Sequence, residues 1–395
     1  MSFPRRPADE AELAAVVTEA AAKKTPLAIV GGGTRSGLGR PMQTAETLST
    51  ASLSGITLYE PSELVLSARA GTPLAEVEAA LAARGQRLAF EPIDHKGVFG
   101  TLGKPTIGAV AAANLSGPRR VQVGAARDSL IGVRAVTGEG KVVKSGGRVM
   151  KNVAGYDLVK FLAGSLGTLA VLSEVTFKVQ PSPETETTLS LAGLSDERAV
   201  AAMAAALGSP FSVTGAAHVP STDSDPARTY LRLEGFAASV TDRARRLAVA
   251  LRDFGAAAMT EAEASRSIWL TVLDLDGITA PLGEPIWRVS VRPGYGPRVA
   301  AAARAAFPAR ILYDWGGGLV GIAGGAGKDA GAAVVRGAVA AVGGHATLVR
   351  AADDVRLAVD VFEPLDAPLM ALTRKLKATF DPAGILNPGR MYAGI

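Results

Sequence analysis

The sequence predicts an α+β protein built from two domains. Its 395 residues are too many for one ordinary hydrophobic core, and a proline-rich stretch at residues 181–183 separates two halves of different texture. Before this stretch, short buried strands alternate with glycine-rich loops. After it, strands alternate with alanine-rich helices, which is typical of an antiparallel sheet covered by helices. We therefore expect domains at residues 1–182 and 183–367, followed by a C-terminal segment at 368–395.

The first domain has its clearest signals at the starts of two helices. Asp9 and Glu12 form a capping box, and apolar residues follow at helical spacing. A second helix is predicted to begin at Thr72-Pro73, with Thr72 as N-cap and proline in the first helical position. We expect strands at residues 26–30, 63–70, 130–137, 141–144 and 169–179, and a short helix at 157–163.

The second domain alternates predicted strands with predicted helices. Strands are expected at residues 187–191, 211–218, 229–235, 286–292, 310–314, 318–323 and 346–350. Helices are expected at residues 196–207, 239–254 and 329–342. A last helix at 368–380 precedes a turn that contains two prolines, and no repeat of fixed period is present.

Composition excludes several classes of function. The chain has no cysteine, which excludes disulfides, thiolate metal sites, cysteine nucleophiles and a flavin attached through sulfur. The three histidines, His95, His218 and His345, are too scattered to predict a metal site. The net charge of +5 is mild, and the basic residues form no stripe of the kind that binds nucleic acid. We find no signal peptide or membrane span and expect a cytoplasmic protein, held to a membrane at most through partners.

Residues 31–39 form a glycine-rich loop directly after a predicted strand. Glycines allow consecutive backbone N–H groups to approach a phosphate, and the hydroxyl and guanidinium groups in the loop add donors. The spacing matches neither a dinucleotide fingerprint nor a Walker A loop, and a flexible surface loop is the alternative interpretation. The predicted phosphate-binding residues are Gly31, Gly32, Gly33, Thr34, Arg35 and Ser36.

Two further stretches combine small and polar residues. In residues 106–120, small side chains run from Gly108 to Ala113, which permits close approach to a flat ligand or, alternatively, tight helix packing on alanine. The second stretch is residues 149–158, followed by a Gly-x-x-Gly turn and a strand at 164–171. Either piece alone is explained by a structural turn, but the pair indicates a bulky ligand. The candidate ligand contacts are Thr106, Ile107, Gly108, Asn114, Gly117, Gly124, Asn152, Gly155, Asp157, Gly167 and Val171.

In this order the three stretches resemble the FAD-binding domain of the vanillyl-alcohol oxidase and p-cresol methylhydroxylase superfamily. The resemblance implies that the 31–39 loop cradles the pyrophosphate, residues 106–128 line the flavin and ribityl chain, and residues 164–171 hold the adenosine end. The histidine that usually attaches flavin in the pyrophosphate loop of that superfamily is absent here. We therefore expect FAD to bind without a covalent bond, although His95 is in principle an attachment point.

The chain also resembles the FAD-binding subunit of glycolate oxidase over nearly its whole length. The stretches that carry this resemblance are residues 117–120, 149–158, 286–288, 314–317, 343–347 and 386–392. The resemblance implies oxidation of glycolate to glyoxylate in a complex with a larger FAD-binding subunit and an iron–sulfur subunit, which passes electrons towards the quinone pool. It also implies that the C-terminal segment returns to the flavin domain.

Two departures from related enzymes fit the smaller subunit of such a complex. The larger subunit and the related D-lactate and 2-hydroxyglutarate dehydrogenases carry a histidine-rich metal site, which this sequence lacks, and Leu166 replaces their usual glutamate. Two alternatives stay open: a self-sufficient 2-hydroxy-acid dehydrogenase, and a scaffold subunit whose flavin site has decayed. Activity on the isolated chain would favour the first, and colourless protein would favour the second.

Oxidation of a 2-hydroxy acid needs a cation for the carboxylate and a base for the hydroxyl proton. Arg288 and Arg390 are the candidate cations, together with Arg350. His345 is the candidate base because the two glycines before it permit close approach to a ligand; the alternative is a structural histidine beside a tight turn. Asn387 or Arg390 is expected to contact the N1–O2 edge of the flavin ring, where negative charge collects on reduction.

Overall fold

A computed structural model describes residues 3–147, 157–279, 281–325 and 327–395. The chain forms two compact units. Unit 1 comprises Met1–Ser116, Gly124–Ser182 and Pro364–Ile395, and unit 2 comprises Gly117–Val123 and Pro183–Glu363. Within the described ranges, no helix is long and apolar enough to span a membrane.

The helices are α1 (Glu10–Lys23), α2 (Leu74–Ala82), α3 (Lys96–Phe99), α4 (Ile107–Ala113), α5 (Arg120–Val123), α6 (Ala126–Ser129), α7 (Leu158–Leu162), α8 (Asp196–Leu207), α9 (Ala237–Ala250), α10 (Ala262–Leu273), α11 (Gly296–Ala306), α12 (Ala332–Ala340), α13 (Asp353–Ala358) and α14 (Ala367–Phe380). The strands are β1 (Leu27–Val30), β2 (Glu46–Ser49), β3 (Ile56–Glu60), β4 (Val65–Arg69), β5 (Gln86–Arg87), β6 (Leu130–Thr137), β7 (Val142–Gly146), β8 (Ala170–Lys178), β9 (Gln180–Pro181), β10 (Thr185–Ala192), β11 (Gly215–Val219), β12 (Arg228–Gly235), β13 (Ala257–Glu261), β14 (Ile286–Val291), β15 (Arg310–Asp314), β16 (Leu319–Ala323) and β17 (Gly344–Arg350).

Helix α1 begins where the capping box predicts. Asp9 accepts a hydrogen bond from the Glu12 N–H at 2.8 Å, and the Glu12 carboxylate accepts one from the Ala8 N–H at 2.8 Å. These two bonds satisfy donors that a helix start leaves without partners. Leu13 and Val17 point into the core from the opposite face of the helix. The hydrophobic spacing therefore sets which face of α1 is buried.

Unit 1 is built on two principal sheets. Strands β1 and β2 pair in parallel, and a five-stranded antiparallel sheet has the order β3-β4-β8-β6-β7. Helix α1, the parallel pair, strands β6 and β8 and the C-terminal segment share one apolar core. Its fully buried members are Leu13, Val17, Ala20, Leu27, Leu48, Leu53, Val136, Val171, Ile385 and Leu386.

The C-terminal segment is fixed to β1 of unit 1 by backbone hydrogen bonds. The Leu27 N–H donates to the Ile385 carbonyl oxygen at 2.7 Å, and the Asn387 N–H donates to the Leu27 carbonyl oxygen at 3.0 Å. Buried Lys377 on α14 donates to Asp381 at 2.7 Å, and Asp381 in turn accepts the backbone N–H of the turn that follows. The segment after α14 therefore lies beside the loop that follows β1.

Unit 2 contains an eight-stranded antiparallel sheet of order β13-β10-β12-β11-β15-β16-β14-β17. Helices α8, α9, α11 and α12 pack their apolar faces on one side of it and form its main core. Helix α10 covers part of the other side, where Trp269 and Val272 contact Ala217. The predicted α+β class and the predicted antiparallel sheet are confirmed.

The predicted start of α2 is one residue too early. Helix α2 begins at Leu74, and Pro73 occupies the N-cap position without a side-chain cap. The Thr72 hydroxyl instead donates to the Arg69 carbonyl oxygen at 2.7 Å and accepts from the Gly55 N–H at 3.0 Å. Thr72 therefore joins the two strands before the helix, because its side chain finds partners there that local sequence does not reveal.

The division of the chain into two units differs from the predicted domain boundaries at two places. The division at Ser182 and Pro183 falls where the proline-rich stretch lies, but residues 117–123 belong to unit 2 and the C-terminal part of unit 1 begins at Pro364. Residues 117–123 join unit 2 because Arg119 makes a buried ion pair with Glu234. A local sequence pattern does not predict an ion pair between residues so far apart in the chain.

Candidate functional site

A groove in unit 1 lies between the glycine-rich loop, helix α4 and the turn before β8. Its cavity volume is about 80 Å³. We call it the unit 1 groove. Its lining residues are Ile29, Val30, Gly31, Gly32, Gly33, Thr34, Arg35, Ser36, Leu38, Thr50, Ala70, Gly108, Ala109, Ala112, Ala113, Leu166, Gly167, Ala170, Val171, Leu172 and Arg390.

The glycines of the loop serve two separate purposes. A Cβ on Gly32 would lie 1.7 Å from the Lys104 carbonyl oxygen, and a Cβ on Gly31 would lie 2.3 Å from the Thr106 hydroxyl. These two glycines therefore allow the loop to pack on residues 104–106. Gly33 has a φ of +80° and nothing near its missing Cβ, so here the turn itself requires glycine while the backbone faces open space.

Within the part of the chain that the structure describes, two buried side chains beside this loop have polar atoms without a hydrogen-bond partner. Arg35 donates through Nη2 to the Ile93 carbonyl oxygen, while its Nε and Nη1 have no partner. The Thr106 hydroxyl also lacks one. Burial lowers the pKa of Arg35 to about 10, although nearby Asp94 opposes this shift. A buried cation with unpaired donors is costly, which indicates that an anionic group completes the site.

The stretch of small residues at 106–120 supplies helix α4. The alternative interpretation as a helix is confirmed, since residues 107–113 are helical with Ile107 fully buried. A Cβ on Gly108 would lie 2.5 Å from the Ala70 Cβ, so Gly108 lets α4 pack closely on the segment after β4. Gly108 and three alanines of α4 nevertheless line the unit 1 groove. One set of small residues therefore serves both helix packing and the groove wall.

Asn114 ends this helix in a left-handed conformation, with a φ of 50°. Its side-chain oxygen accepts a hydrogen bond from the Arg127 N–H at 2.9 Å. Asn114 therefore holds the entry to α6, and its predicted ligand contact stays a prediction.

The turn before β8 is held open by Asn387. Leu166 and Gly167 both have positive φ values, of 52° and 73°. The Asn387 amide donates to the Leu166 carbonyl oxygen at 2.7 Å, and its oxygen accepts from the Ile29 N–H at 2.7 Å. Asn387 is fully buried, so its side chain ties β1 to this turn. Its predicted contact with a flavin edge stays a prediction, and these bonds commit its oxygen and one of its amide protons.

Arg390 lines the same groove, but its guanidinium donors face backbone carbonyl groups. Nε lies 3.3 Å from the Leu38 carbonyl oxygen, Nη2 lies 3.2 Å from that of Arg35, and Nη1 lies 3.5 Å from that of Leu166. Arg390 therefore joins the glycine-rich loop to the turn before β8. These contacts favour a positioning role over the predicted contact with substrate.

The remaining predicted cofactor residues are scattered. Gly117 belongs to unit 2, and Gly124 has a φ of +82° at the start of the segment that returns to unit 1. Asp157 is the N-cap of α7 and accepts from the Lys160 N–H at 3.3 Å. Asn152 and Gly155, with most of the 149–158 stretch, lie outside the described residues.

In unit 2, the sheet presents a polar face opposite its main core. Arg288 pairs with Thr347 and Ser290 pairs with His345 across strands β14 and β17. Side chains two residues apart on a strand share a face, whereas Trp287 and Val289 point into the core. Arg288 and His345 are therefore diagonal neighbours, whose Cα atoms are typically about 7–8 Å apart. We call the face that carries Arg288, Ser290, His345 and Thr347 the polar face.

Two guanidinium groups, those of Arg120 and Arg288, lie over the indole ring of Trp315 near this face. The Arg120 Cζ lies 4.5 Å from the indole centroid and the Arg288 Cζ lies 4.9 Å from it. Burial and the charge of Arg120 lower the pKa of Arg288 to about 10, although Asp314 opposes this shift. Neither Arg120 nor Trp315 was named as a site residue in the sequence analysis. The Arg-Arg pair after Gly117-Pro118 was the only available signal.

His345 lies on the polar face and is exposed to solvent. Partial burial and the charges of Arg288 and Arg120 lower its pKa, while Glu363 acts in the opposite direction. The neutral form of this imidazole is therefore favoured near neutral pH. The preceding Gly344 is needed for strand packing, because a Cβ there would lie 2.3 Å from the Ser290 carbonyl oxygen. The glycine thus serves the β14–β17 pairing, and the predicted role of His345 as base stays a prediction.

The side chains of the other candidate residues contact groups of the protein itself. His218 is fully buried, with Nδ1 2.9 Å from the Thr229 hydroxyl and Nε2 3.5 Å from Asp196. His95 is buried and packs edge-on against Phe99. Arg350 donates to three carbonyl groups of the segment before β14. Across the described ranges, no cluster of histidine and acidic residues is arranged to hold a metal ion.

Comparison with known proteins identifies the family. Residues 4–146 match the family model described as FAD binding domain, and residues 362–391 match that of the C-terminal domain of FAD linked oxidases. The chain is 36% identical over 377 residues to glycolate oxidase subunit GlcE of Escherichia coli, covering 95% of both proteins. The chain belongs to the family of FAD-linked glycolate oxidase subunits.

Other proteins match a smaller part of the chain or resemble it in fold alone. Glycolate oxidase subunit GlcD of Bacillus subtilis is 37% identical over 102 residues, which is 25% of this chain and 22% of that protein. The structure of 4-ethylphenol oxidase from Gulosibacter chungangensis superposes with a TM-score of 0.71 at 13% identity, covering 97% of this chain and 88% of that one. The fold is therefore shared with that oxidase. The FAD-linked family models and the glycolate oxidase relative show that the chain is an FAD-dependent oxidoreductase.

The residues of the unit 1 groove fit FAD. The unpaired Arg35 and Thr106 donors and the open backbone at Gly33 suit a pyrophosphate. The alanines of α4 leave room along the groove wall for a flat ring.

Proposed function

We propose that this chain is the FAD-binding subunit of a glycolate oxidase complex that oxidises glycolate to glyoxylate. In this proposal a larger FAD-binding subunit and an iron–sulfur subunit are its partners, and the electrons pass to a quinone-type acceptor. The complex works in the cytoplasm and meets the inner membrane through its partner subunits. The extent of the likeness to the E. coli subunit and the name of the B. subtilis relative support this assignment.

The single observation that carries the proposal is the buried Arg35 guanidinium with two donors unpaired. In our assignment Arg35, the Thr106 hydroxyl and the N–H groups of the 31–33 segment hold the FAD pyrophosphate. Helix α4 and the turn at Leu166-Gly167 bound the rest of the molecule. Bound FAD supplies a two-electron acceptor for the hydride that leaves the substrate carbon. Arg390 and Asn387 keep the loop and the turn in place.

In unit 2, Arg288 and His345 supply the two functions that a 2-hydroxy acid requires. Arg288 pairs with the substrate carboxylate, and the neutral imidazole of His345 accepts the hydroxyl proton as the C–H bond breaks. The lowered pKa of His345 supports this role because a base must be unprotonated at the working pH. The carbon thus loses a hydride and the hydroxyl oxygen loses a proton, which yields glyoxylate.

The cofactor assignment is tested by Arg35→Gln, with Arg6→Gln as the matched surface control. Removing a charged hydrogen-bond donor is expected to weaken FAD binding at least about tenfold, because such bonds contribute about 1.5–3 kcal/mol. Titration of the apoprotein with FAD, followed by flavin absorbance, measures the change. Equal affinity in Arg35→Gln and the wild type would contradict the assignment.

The reaction is tested by glycolate-dependent reduction of an acceptor dye, measured on the chain alone and after assembly with co-expressed neighbouring-gene products. We expect turnover only in the assembled complex. Turnover of glycolate or D-lactate by the isolated chain would favour a self-sufficient dehydrogenase. Colourless protein that takes up no added FAD would favour the scaffold alternative.

A further inference from the structure

Helix α14, which the structure describes in full, buries a lysine where a helix usually buries an apolar side chain. Lys377 is buried, whereas Leu369 and Leu372 of the same helix are about half exposed. Burial lowers the pKa of Lys377, and the carboxylate of Asp381 opposes this shift. Burying an ammonium group costs free energy unless its donors are paired, so Lys377 requires a compensating set of contacts.

The Lys377 ammonium group has a hydrogen-bond partner for each of its three protons. Nζ donates to the Asp381 carboxylate at 2.7 Å and to the Leu386 carbonyl oxygen at 2.7 Å. The third proton goes to the Thr168 carbonyl oxygen at 2.8 Å, which is 209 positions away in the sequence. Because an ammonium group has three donors, this set of partners is complete. Lys377 therefore joins the C-terminal segment to a distant part of unit 1.

Thr168 lies in the turn before β8, which forms part of the wall of the unit 1 groove. Leu166 and Gly167 line the groove just before Thr168 in the sequence, and residues 170–172 line it just after. The hydrogen bond from Lys377 therefore fixes the backbone between two segments of the groove wall.

The same turn is also fixed to helix α4. The Gly164 N–H donates to the Ala111 carbonyl oxygen at 3.1 Å, and the Leu166 N–H donates to the Ala112 carbonyl oxygen at 2.8 Å. Ala112 itself lines the unit 1 groove. The turn is thus held by α4 and by the C-terminal segment together, and a shift of the turn would move the groove wall.

We propose that Lys377 is a positioning residue for FAD, which acts through the Thr168 carbonyl oxygen and keeps the turn before β8 in the shape that the cofactor requires. This inference rests on the proposed function, because that proposal places FAD in the unit 1 groove. Stability alone does not require a lysine at this position, since apolar side chains often replace buried ion pairs without loss of stability. An ammonium group, in contrast, fixes the direction of a carbonyl group, which an apolar side chain cannot do.

The test compares FAD binding in the wild type, Lys377→Met and Lys377→Arg, by titration of each apoprotein followed by flavin absorbance. Lys375→Met is the matched control, because Lys375 is exposed on the same helix. We expect Lys377→Met to weaken FAD binding at least about tenfold, because a hydrogen bond from a charged donor is lost. Lys377→Arg should recover part of the affinity, since a guanidinium also donates to carbonyl and carboxylate oxygens, and Lys375→Met should match the wild type.

Thermal unfolding of each apoprotein separates the positioning role from a purely structural one. The titrations are run well below the lowest unfolding midpoint, so that each variant is folded when FAD is added. Lower stability of apo Lys377→Met together with wild-type affinity for FAD would show a structural role alone and overturn the proposal. Weaker FAD binding by folded Lys377→Met, with partial recovery in Lys377→Arg, would support it.

A second measurement needs no variant and serves if Lys377→Met does not fold. Coupling between two sites is reciprocal, so FAD in the groove should also stabilise the C-terminal segment. We expect FAD to slow hydrogen exchange of the Ile385 and Leu386 N–H groups, which donate to the Asp381 carboxylate. The Glu12 N–H, which donates to Asp9 at the start of α1, is the control and should exchange equally with and without FAD. Exchange of the Ile385 and Leu386 N–H groups that FAD does not change would overturn the proposal.

Comparison with Arg35→Gln separates this inference from the proposed function. Wild-type FAD affinity in Lys377→Met, together with weakened affinity in Arg35→Gln, would overturn the role of Lys377 and leave FAD assigned to the unit 1 groove. Equal affinity in the wild type and both variants would overturn the two assignments together.

Discussion

The unit 1 groove and the polar face of unit 2 recognise ligands by opposite means. The groove is lined mainly by glycine, alanine and other small or apolar residues, and Arg35 is a cation held within it. The polar face instead carries Arg288 and His345, and the Arg288 guanidinium lies over the Trp315 indole together with that of Arg120. Shape and backbone donors dominate the first site, and side-chain charge dominates the second.

This difference shows why the two sites have different sensitivities. Where two backbone segments are in close contact, an added side-chain atom disrupts the site, because the backbone cannot move aside. A site built on charged side chains keeps its fold after substitution but loses affinity. The following predictions test this contrast in order of expected effect.

The largest effect is expected from Gly32→Ala. The added Cβ would lie 1.7 Å from the Lys104 carbonyl oxygen, so the loop must move away from residues 104–106. We expect a loss of about 3 kcal/mol in the free energy of unfolding, together with loss of bound FAD. Thermal unfolding and flavin content after purification measure the two effects.

Gly97→Ala is the matched control for this variant. Gly97 is exposed in α3, and nothing lies within 4 Å of its missing Cβ. We expect its stability to stay within about 0.5 kcal/mol of the wild type. If Gly32→Ala behaved like Gly97→Ala, the loop would not depend on close backbone approach.

The next effect concerns Asp196, a partly buried carboxylate on the core side of unit 2 that has several hydrogen-bond partners. Burial opposes ionisation of Asp196, but contacts with His218, Tyr313 and Arg304 lower its pKa to about 2. The Tyr313 hydroxyl and Arg304 each donate to it at 2.6 Å. We expect Asp196→Asn to cost about 2 kcal/mol of unfolding free energy at pH 7.

The sign of the pH dependence follows from the lowered pKa of Asp196. Its stabilising contribution is complete above the ordinary aspartate pKa and is lost as the pH falls towards about 2. The wild type and Asp196→Asn should therefore converge in stability between about pH 4 and pH 2, as measured by urea unfolding. Asp242→Asn removes an exposed ion pair with Arg246 and should have little effect at any pH. A constant difference down to pH 2 would contradict this account.

Local sequence predicted the groove better than the polar face. Strand β6 was predicted at its observed bounds, because its apolar run ends at a Gly-Glu-Gly turn. The groove was found because its glycines and alanines are contiguous at 31–39 and 106–113. Helices α10 and α11 were not predicted.

The polar face escaped prediction in part because its members meet only through pairing of distant segments. Arg288 and His345 were named from the chemistry of a 2-hydroxy acid, but Arg120 joins them through the buried Arg119–Glu234 ion pair. Contacts between residues more than one hundred positions apart leave no periodic signal. The same reason explains why Arg390, named as a substrate cation, is surrounded by carbonyl groups of unit 1.

The smallest effect is expected in the titration of His345, and it probes the charge of the polar face directly. Burial is the first cause of its lowered pKa, and the charge of Arg288 is the second. In Arg288→Gln the pKa of His345 should rise towards its ordinary value, because a repelling charge is removed while Glu363 remains. Arg298→Gln should leave it unchanged. NMR titration of the His345 ring in the full chain measures the shift, independently of turnover.

Since His345 must be neutral to accept a proton, the acid limb of the pH profile of kcat/KM for glycolate should lie below the ordinary histidine pKa in the wild type and move to higher pH in Arg288→Gln. An equal pKa of His345 in the wild type and Arg288→Gln would mean that the two side chains do not interact on the polar face in solution. The polar face would then not be a site governed by charge, in contrast to the unit 1 groove.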